Sequence, residues 1–546
     1  MSTEIDNGVQ CRETRIAGPP GCGKTTTLSG LIATACRDYG SEAVLVSSFT
    51  RAAAKELVSR NLPLSDDQVG TLHALCYRAL ERPKIITGAM LKDWNAEHPV
   101  WAFGGIASDI DDPYGHIEGN ETKDGDLLLQ ELNRLRGLQV DEEVWPLRVQ
   151  AFNESWKDFK ANTFTVDFTD LIEQCVRERI PIPHEAAAMF LDEVQDFSPL
   201  ELSLARWWGE SCEQLWLVGD PDQCLYRFKG ATPSAFMYPE LPADRLRVLG
   251  QSYRVPRAVH AAAVNWITQM PDRLQVEYKP RAFEGAVDSL GINYQYPTPI
   301  KDRLDEWLDQ GKTVAFLASC SFFLEPLKKQ LREWGLPFHN PYRRTRGDWN
   351  PLSARSGSIS AAQRVLSYGK VARGESWWTY KELWDWAGCL EVEGVFQRGA
   401  KTDMRRKAEA DETMKAPVSV EDLERWFAGE DVAGHVTSGS LDWLRGHILS
   451  TYERPIRYAC NVIEARGKEA LMKPPQILIG TIHSVKGGEA DIVVLFPDLS
   501  PAGYREWTSP GDAQDSVRRC FYVGMTRAKD ELYWAQPVGM SIGGYL

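Results

Sequence analysis

Two short segments carry residue types suited to phosphate chemistry. Gly18-Pro-Pro-Gly-Cys-Gly-Lys24-Thr25 has the spacing G-x-x-x-x-G-K-[ST], in which backbone amides surround phosphates, the lysine reaches the terminal ones and the hydroxyl meets Mg²⁺. Asp192 and Glu193 end the apolar run 186–191. They can supply one carboxylate for the metal (Asp192) and a second to activate water (Glu193). Together the two segments predict a site that binds ATP with Mg²⁺ and hydrolyses the nucleotide.

The elements that must position these segments alternate between strand and helix. Strand-like runs at 13–17, 43–47, 190–191 and 215–218 surround a helical pattern at 25–37. Further strand-like runs occur at 313–317, 476–480 and 491–496. This alternation is typical of parallel sheets covered by helices, so we predict an α/β fold.

A chain of 546 residues exceeds what one hydrophobic core usually supports, so we expect several domains. The strand pattern is interrupted twice, by an acidic and helical stretch and by a Trp-rich helical one. The predicted boundaries are 1–89 and 166–246 for a first α/β domain with an insertion at 90–165, and 247–344 and 475–546 for a second with an insertion at 345–474.

Composition narrows the class of protein. The net charge of −14 argues against binding nucleic acid through overall basicity, although a local basic groove remains compatible with it. The 11 cysteines contain no C-x-x-C pair, so we predict no zinc site, no iron-sulfur cluster and a reducing, cytoplasmic location. No apolar stretch reaches the ~20 residues needed to cross a bilayer, so we expect no membrane anchoring.

Further segments occur in an order that resembles the superfamily 1 helicases of the UvrD, Rep and PcrA branch. These segments are 49–57, 69–76, 166–171, 218–231, 250–254, 481–489 and 519–529. The resemblance covers nearly the whole chain outside the two insertions. It implies two RecA-like parallel-sheet motor domains, each interrupted by a mainly helical insertion, with ATP hydrolysed in a cleft between them.

The resemblance extends the predicted nucleotide site. It implies that Arg254 and Arg527 neutralise charge on the transferred phosphoryl group, and that Gln195 and Gln223 lie near the terminal phosphate. Tyr253 would stack on adenine and Glu489 would meet the ribose. The full predicted site comprises Gly21, Cys22, Gly23, Lys24, Thr25, Thr26, Asp192, Glu193, Gln195, Gln223, Tyr253, Arg254, Glu489 and Arg527.

The same resemblance implies contacts with a nucleic-acid strand. Aromatic rings stack on bases without sequence preference, and polar side chains hold phosphates. Phe228 stands where the family commonly carries Trp. The predicted stacking residues are Phe49, Tyr226 and Phe228, and the predicted backbone contacts are Thr50, His73, Lys229 and His483.

The function implied is that of an ATP-dependent helicase moving 3′ to 5′ on single-stranded DNA and at junctions with duplex, with roles in DNA repair or replication. Two alternatives stay open, namely a translocase that displaces bound proteins and a nucleotide-gated DNA-binding module. RNA as the track also stays open. The cluster Trp377, Trp378, Trp384 and Trp386 has helical spacing, which favours core packing over base stacking.

Overall fold

The computed structural model describes residues 13–49, 62–104, 123–343, 349–354, 358–410 and 416–543. The chain forms two compact units, each assembled from two separate stretches of sequence. The first comprises Met1–Ala286 and Arg505–Thr526, and the second comprises Val287–Tyr504 and Arg527–Leu546. Residues 505–526 therefore return to the first unit late in the chain. The finer subdomain boundaries given above stay predictions.

The first unit is built on a six-stranded sheet in the order β3-β2-β4-β5-β1-β6 whose neighbouring strands all pair in parallel. Side chains alternate between its two faces, and each face is covered by a separate buried cluster. Its strands are β1 Glu13–Ala17, β2 Val44–Ser48, β3 Val69–Gly70, β4 Ala188–Asp192, β5 Gln214–Gly219 and β6 Leu246–Val248.

The second unit contains another six-stranded sheet, in the order β7-β12-β11-β8-β10-β9. Strands β8 to β12 pair with one another in parallel. The predicted α/β class with two parallel-sheet domains is therefore confirmed. The strands are β7 Ala286–Ser289, β8 Val314–Ala318, β9 Phe338–His339, β10 Ile477–Thr481, β11 Ala490–Leu495 and β12 Ala528–Trp534.

Helices cover both sheets and build most of the two inserted stretches. In the described part of the chain they are α1 Lys24–Tyr39, α2 Leu72–Ala79, α3 Leu91–Glu97, α4 Asp124–Gly137, α5 Leu147–Thr163, α6 Phe168–Arg177, α7 Pro199–Gly209, α8 Pro233–Met237, α9 Arg257–Ile267, α10 Lys301–Asp309, α11 Glu325–Glu333, α12 Ala361–Tyr368, α13 Tyr380–Ala387, α14 Ala400–Ala410, α15 Val420–Trp426, α16 Glu430–Thr437, α17 Leu441–Gly446, α18 Ser450–Arg466, α19 Glu469–Met472, α20 Pro501–Trp507 and α21 Asp512–Met525.

The Trp-rich insertion has a core of its own. Trp378 and Trp386 are fully buried in it, which confirms the core-packing interpretation for these two rings. The insertion also contains the basic run Arg405-Arg406-Lys407. In this run Arg405 lies 2.8 Å from Glu409, and Lys407 pairs with Asp422. Each of these two cations therefore forms an ion pair with a neighbouring carboxylate.

Of the described helices, none combines the length and apolar character that crossing a bilayer would require.

Candidate nucleotide and nucleic-acid site

The phosphate loop joins β1 to α1 through glycines with left-handed backbones. Gly21 and Gly23 have φ values of 75° and 76°, and α1 begins at Lys24. The first amides of α1 therefore point into the loop, where they and the helix dipole favour an anion. The Lys24 ammonium donates hydrogen bonds to the carbonyls of Gly18 (2.6 Å) and Pro19 (3.3 Å).

Gly21 is required for a second reason, because the segment after β6 packs directly on it. A Cβ at this position would lie 2.6 Å from Cβ of Arg254 and 2.7 Å from Oγ of Ser252. The Ser252 hydroxyl donates to the Pro20 carbonyl (2.9 Å), and the Tyr253 amide donates to the Gly21 carbonyl (2.8 Å). The predicted nucleotide residues Tyr253 and Arg254 are thus held beside the loop.

The side chains of these neighbours differ in exposure. Tyr253 is 72% exposed, as stacking on a base would require, and Arg254 is half-buried. Thr26 is exposed on the first turn of α1, and Cys22 is buried. Burial raises the pKa of the Cys22 thiol to about 12, so it stays protonated and unreactive at neutral pH.

The acidic pair follows β4, and its second member has a strained backbone. Asp192 is 2% exposed, and one of its carboxylate oxygens accepts a hydrogen bond from the Glu193 amide (2.9 Å). Glu193 has φ 55° and ψ 36°, a left-handed conformation that costs a non-glycine residue about 1–3 kcal/mol and tends to occur at functional sites. The Glu193 carboxylate accepts a hydrogen bond from the side-chain amide of Gln195.

The segment after β5 lies beside this pair. The buried Asp220 accepts a hydrogen bond from the Gln223 side-chain amide (2.6 Å), while its own backbone amide donates to the Gln195 side chain (2.9 Å). Burial raises the pKa of Asp220 to about 6, against the opposing attraction of Lys24. Gln223, predicted to face the terminal phosphate, is bonded to Asp220 in this structure.

The residues present fit a magnesium ion. Thr25 lies on the first turn of α1 and Asp192 at the end of β4, and both offer the oxygen ligands that Mg²⁺ prefers. Within the described ranges, no three His, Cys, Asp or Glu side chains form a metal-binding group. One or two protein oxygens completed by phosphate oxygens are the usual arrangement for Mg²⁺ in nucleotide sites.

The predicted stacking residues lie together. The ring centroids of Phe49 and Tyr226 are 4.6 Å apart, and those of Tyr226 and Phe228 are 6.0 Å apart. The Lys229 ammonium lies over all three rings, 4.4 Å from the Tyr226 centroid and 5.5 Å from the other two. All four side chains are half-buried, so part of each remains open to a ligand. Thr50, the predicted neighbour of this cluster, lies outside the described residues.

His73 occupies a different environment from the one the sequence predicts. Its side chain is 3% exposed, with Nδ1 3.8 Å from a carboxylate oxygen of Glu201 and its ring edge-on to Phe168. Burial lowers the pKa of His73 to about 3, so the imidazole is neutral. In this structure His73 is therefore a buried, neutral residue, and its contact with a nucleic-acid phosphate stays a prediction.

In the second unit, three predicted site residues lie in or next to the segment 483–489. His483 is half-buried in the turn 483–485 after β10, and Glu489 is exposed just before β11. Arg527 is 3% exposed and donates to the Gly488 carbonyl (3.3 Å). Arg527 is therefore fixed next to the residue that precedes Glu489.

Two further residues contact the site in the first unit, and no sequence pattern predicts them. Arg273 forms a bidentate ion pair with Asp222, and the Tyr278 hydroxyl donates to the Pro20 carbonyl (3.1 Å). These contacts join positions 51 and 258 residues apart. No periodicity or spacing rule connects such positions.

Two family models match the chain. The UvrD/REP helicase N-terminal domain matches residues 1–241, and the UvrD-like helicase C-terminal domain matches residues 460–536. Together they span more than half of the sequence and contain every nucleotide-site motif described above except the segment around Arg254.

Curated relatives agree with these models. YjcD of Bacillus subtilis is 26% identical over 44% of this chain and 35% of YjcD, so the match spans about a third of that protein. The ATP-dependent DNA helicase UvrD2 of Mycobacterium tuberculosis is 24% identical over 96% of this chain and 76% of UvrD2. The ATP-dependent DNA helicase PcrA of Bacillus subtilis is 24% identical over 44% of this chain and 36% of PcrA. With its motifs in family order and its two parallel sheets, the chain belongs to the UvrD/Rep/PcrA type of superfamily 1 helicases.

Proposed function

We propose that this chain is an ATP-dependent DNA helicase that moves 3′ to 5′ along single-stranded DNA and unwinds duplex at junctions. One observation carries the proposal. The phosphate loop, the acidic pair and the coupling motif (residues 218–231) follow β1, β4 and β5, which are neighbours in one parallel sheet. The carboxyl ends of parallel strands are the usual place for a nucleotide site. The names of the relatives UvrD2 and PcrA support ATP as the fuel and DNA as the track.

Hydrolysis then uses groups of distinct chemistry. Lys24 and the amides of the loop bind the phosphates, and Thr25 and Asp192 would hold Mg²⁺, which would neutralise charge on the phosphate oxygens. Glu193 takes the proton of the attacking water as the bond between the terminal phosphorus and its bridging oxygen breaks. Arg254 and Arg527 stabilise the charge that spreads over the transferred group.

The other predicted residues contact different parts of the nucleotide. Gln195 and Gln223 respond to the terminal phosphate, Tyr253 stacks on the adenine, and Glu489 binds the ribose. Hydrolysis in a cleft between two motor domains stays a prediction of the family resemblance.

We assign binding of the DNA strand to the ring cluster, which consists of Phe49, Tyr226 and Phe228. Phe49, Tyr226 and Phe228 stack on bases, and Lys229 and His483 hold phosphates. The closeness of the three rings to one ammonium supports this assignment, because bases and phosphates alternate along a single strand. Polarity rests on the family resemblance alone.

The decisive experiment measures ATP turnover with and without single-stranded DNA, beside an RNA of the same sequence. We expect stimulation by DNA and loss of turnover in Lys24→Ala. The exposed-surface variant Arg257→Ala should behave as wild type, because its only described ion pair, with Glu284, lies in solvent. DNA-stimulated turnover retained by Lys24→Ala would overturn the proposal.

Unwinding of a naked forked DNA separates the proposal from its alternatives. A translocase that displaces proteins would hydrolyse ATP on DNA and leave the fork intact. A nucleotide-gated binding module would bind ATP with little turnover. The strained Glu193 favours turnover, since a purely regulatory site has no need of a positioned base.

A further inference from the structure

A continuous set of hydrogen bonds begins at the proposed catalytic base. The side-chain NH₂ of Gln195 donates to the Glu193 carboxylate, and the side-chain oxygen of Gln195 accepts from the backbone amide of Asp220 (2.9 Å). The Asp220 carboxylate then accepts from the side chain of Gln223 (2.6 Å) and from the amide of Asp222 (3.1 Å). Gln195 is fully buried, so water does not compete for its bonds.

The chain of contacts ends at an arginine outside every motif of the sequence. The Nε of Arg273 lies 3.0 and 2.9 Å from the two carboxylate oxygens of Asp222, and its Nη2 donates to one of them as well. The two side chains are 12% and 9% exposed. A planar guanidinium in this geometry fixes both the position and the rotation of a carboxylate, which a lysine cannot do.

The middle of the chain depends on a glycine. A Cβ on Gly219 would lie 2.4 Å from the Gln195 side-chain oxygen. Gln195 can therefore occupy its position between Glu193 and Asp220 only because residue 219 has no side chain. The close approach at Gly219 is a second observation that supports the same set of contacts.

We propose that Arg273 is a positioning residue for ATP hydrolysis, which holds Glu193 in place through Asp222, Asp220 and Gln195. The inference rests on the proposed function, because it assigns Arg273 to the same reaction. The described contacts of Arg273 lead to the base and not to Lys24 or the phosphate loop, so we expect its loss to lower kcat more than it weakens the binding of ATP.

The first test compares Arg273→Ala with wild type in DNA-stimulated ATP turnover. We expect kcat to fall about 10- to 100-fold, the range typical of groups that orient directly acting residues, with KM for ATP changed by less than about twofold. Arg273→Lys keeps the charge without the planar fork and should give an intermediate kcat. Arg257→Ala is the matched control, an exposed arginine at the start of α9.

Double variants show whether Arg273 acts through the proposed contacts. Arg273→Ala combined with Asp222→Ala should be no slower than the slower single variant, because both remove one interaction. In a Glu193→Gln background, Arg273→Ala should change the residual rate by less than about twofold, since no base is left to position. A merely structural arginine would lower the rate in both backgrounds alike, and that result would overturn the inference.

The outcomes separate the inference from the proposed function. If Lys24→Ala keeps DNA-stimulated turnover, the proposed function fails. If Lys24→Ala is inactive but Arg273→Ala and Arg273→Lys keep the wild-type kcat, only the inference fails. Should Arg273→Ala not fold, as judged by circular dichroism, the folded Arg273→Lys variant decides. An unchanged kcat in that variant would then count against the inference.

Discussion

Glu193 has a backbone conformation that glycine adopts more easily than glutamate. Its φ is 55°, its backbone amide donates to the Asp192 carboxylate, and its own carboxylate accepts from the Gln195 side-chain amide. Strain of about 1–3 kcal/mol at one residue persists only where the surrounding structure imposes it. The carboxylate is therefore fixed before ATP arrives, which suits a group that must meet a water molecule in one orientation.

Glu193→Gln tests this role. We expect hydrolysis to slow by about 10²- to 10⁴-fold, because the side chain keeps its shape but can no longer take a proton. ATP binding, measured with a fluorescent analogue and Mg²⁺, should persist, since Asp192 is unchanged. A variant that lost nucleotide binding and kept its turnover per bound ATP would show that the two carboxylates have exchanged roles.

Phe228 lies in the coupling motif, which also contains Gln223, and is one of the three rings assigned to the DNA track. Phe228→Ala should weaken binding to single-stranded DNA by ~1–3 kcal/mol if one stacked base is lost, while basal ATP turnover stays the same. Translocation should suffer more than hydrolysis. Fluorescence anisotropy and a translocation assay provide the measurements.

Phe228→Trp is the matched variant at this position, because it keeps a stacking face of larger area. We expect wild-type affinity and translocation. If Phe228→Ala translocates normally, or if it unfolds the protein, the ring belongs to the core and the stacking assignment is wrong.

At the scale of elements, α6 is joined to the preceding insertion by buried charges. Asp167 caps α6 and accepts hydrogen bonds from Arg136 (3.2 Å), Trp156 (3.0 Å) and Lys160 (2.6 Å). Burial alone would raise the pKa of Asp167, but Arg136 and Lys160 outweigh this and hold it far below its usual value. The cap of one helix thus anchors α4 and α5.

Asp167→Ala should lower the free energy of unfolding by about 1–3 kcal/mol, because it removes the helix cap and one partner of two buried cations that both keep Asp170 as a partner. In wild type the stabilisation by Asp167 is present above the unfolded pKa near 3.8 and is lost as the pH falls. Urea unfolding at pH 7 measures the difference. A change below about 0.5 kcal/mol, the usual effect of a surface substitution, would contradict this account.

For Asp385 on α13 the pKa is shifted in the opposite direction to that of Asp167. Burial raises its pKa from 3.8 to about 6, with Arg364 acting against the shift. The folded state is favoured most while this carboxyl is protonated, below 3.8, and loses that advantage as the pH rises through about 6.

Asp385→Asn should therefore stabilise the Trp-rich insertion at pH 8 and have little effect below pH 4. A pKa raised from 3.8 to about 6 corresponds to a few kcal/mol, which partial exposure reduces to the order of 1 kcal/mol. Thermal unfolding followed by Trp fluorescence at both pH values is the measurement. Equal stabilisation at pH 8 and pH 4 would show that packing, not ionisation, is the cause.

Across the whole molecule, a net charge of −14 opposes binding to a polyanion, so affinity must come from local contacts. Lys229→Gln should weaken single-strand binding and make the slope of log K against log salt concentration less negative by about 0.7, the value for one phosphate contact. A variant with weaker binding and an unchanged slope would indicate that Lys229 only supports the three rings.

The sequence was informative where function depends on local strings. The strand predicted at 13–17 matches β1, and the run predicted at 313–317 matches β8 to within one residue. Parallel pairing then explains why Lys24, Glu193 and Gln223 come together, since each follows the end of a neighbouring strand.

Other features depend on the tertiary structure and leave no local pattern. The ion pair between Arg273 and Asp222 joins positions 51 residues apart, and any surface arginine has the same appearance in a sequence. The burial of His73 was missed because α2 is covered on that side by Glu201 and Phe168, from two helices that follow much later in the chain.

The late return of residues 505–526 to the first unit affects how the protein must be synthesised. The Trp266 ring of α9 stacks on Trp507 with centroids 5.6 Å apart, and its Nε1 donates to the Arg518 carbonyl (2.8 Å). At about 5–20 residues per second, these partners leave the ribosome some tens of seconds after α9 does. During that interval the indole lacks these partners, so the first unit cannot complete its fold until residues 505–526 have been synthesised, and a fragment ending at residue 286 would lack them permanently.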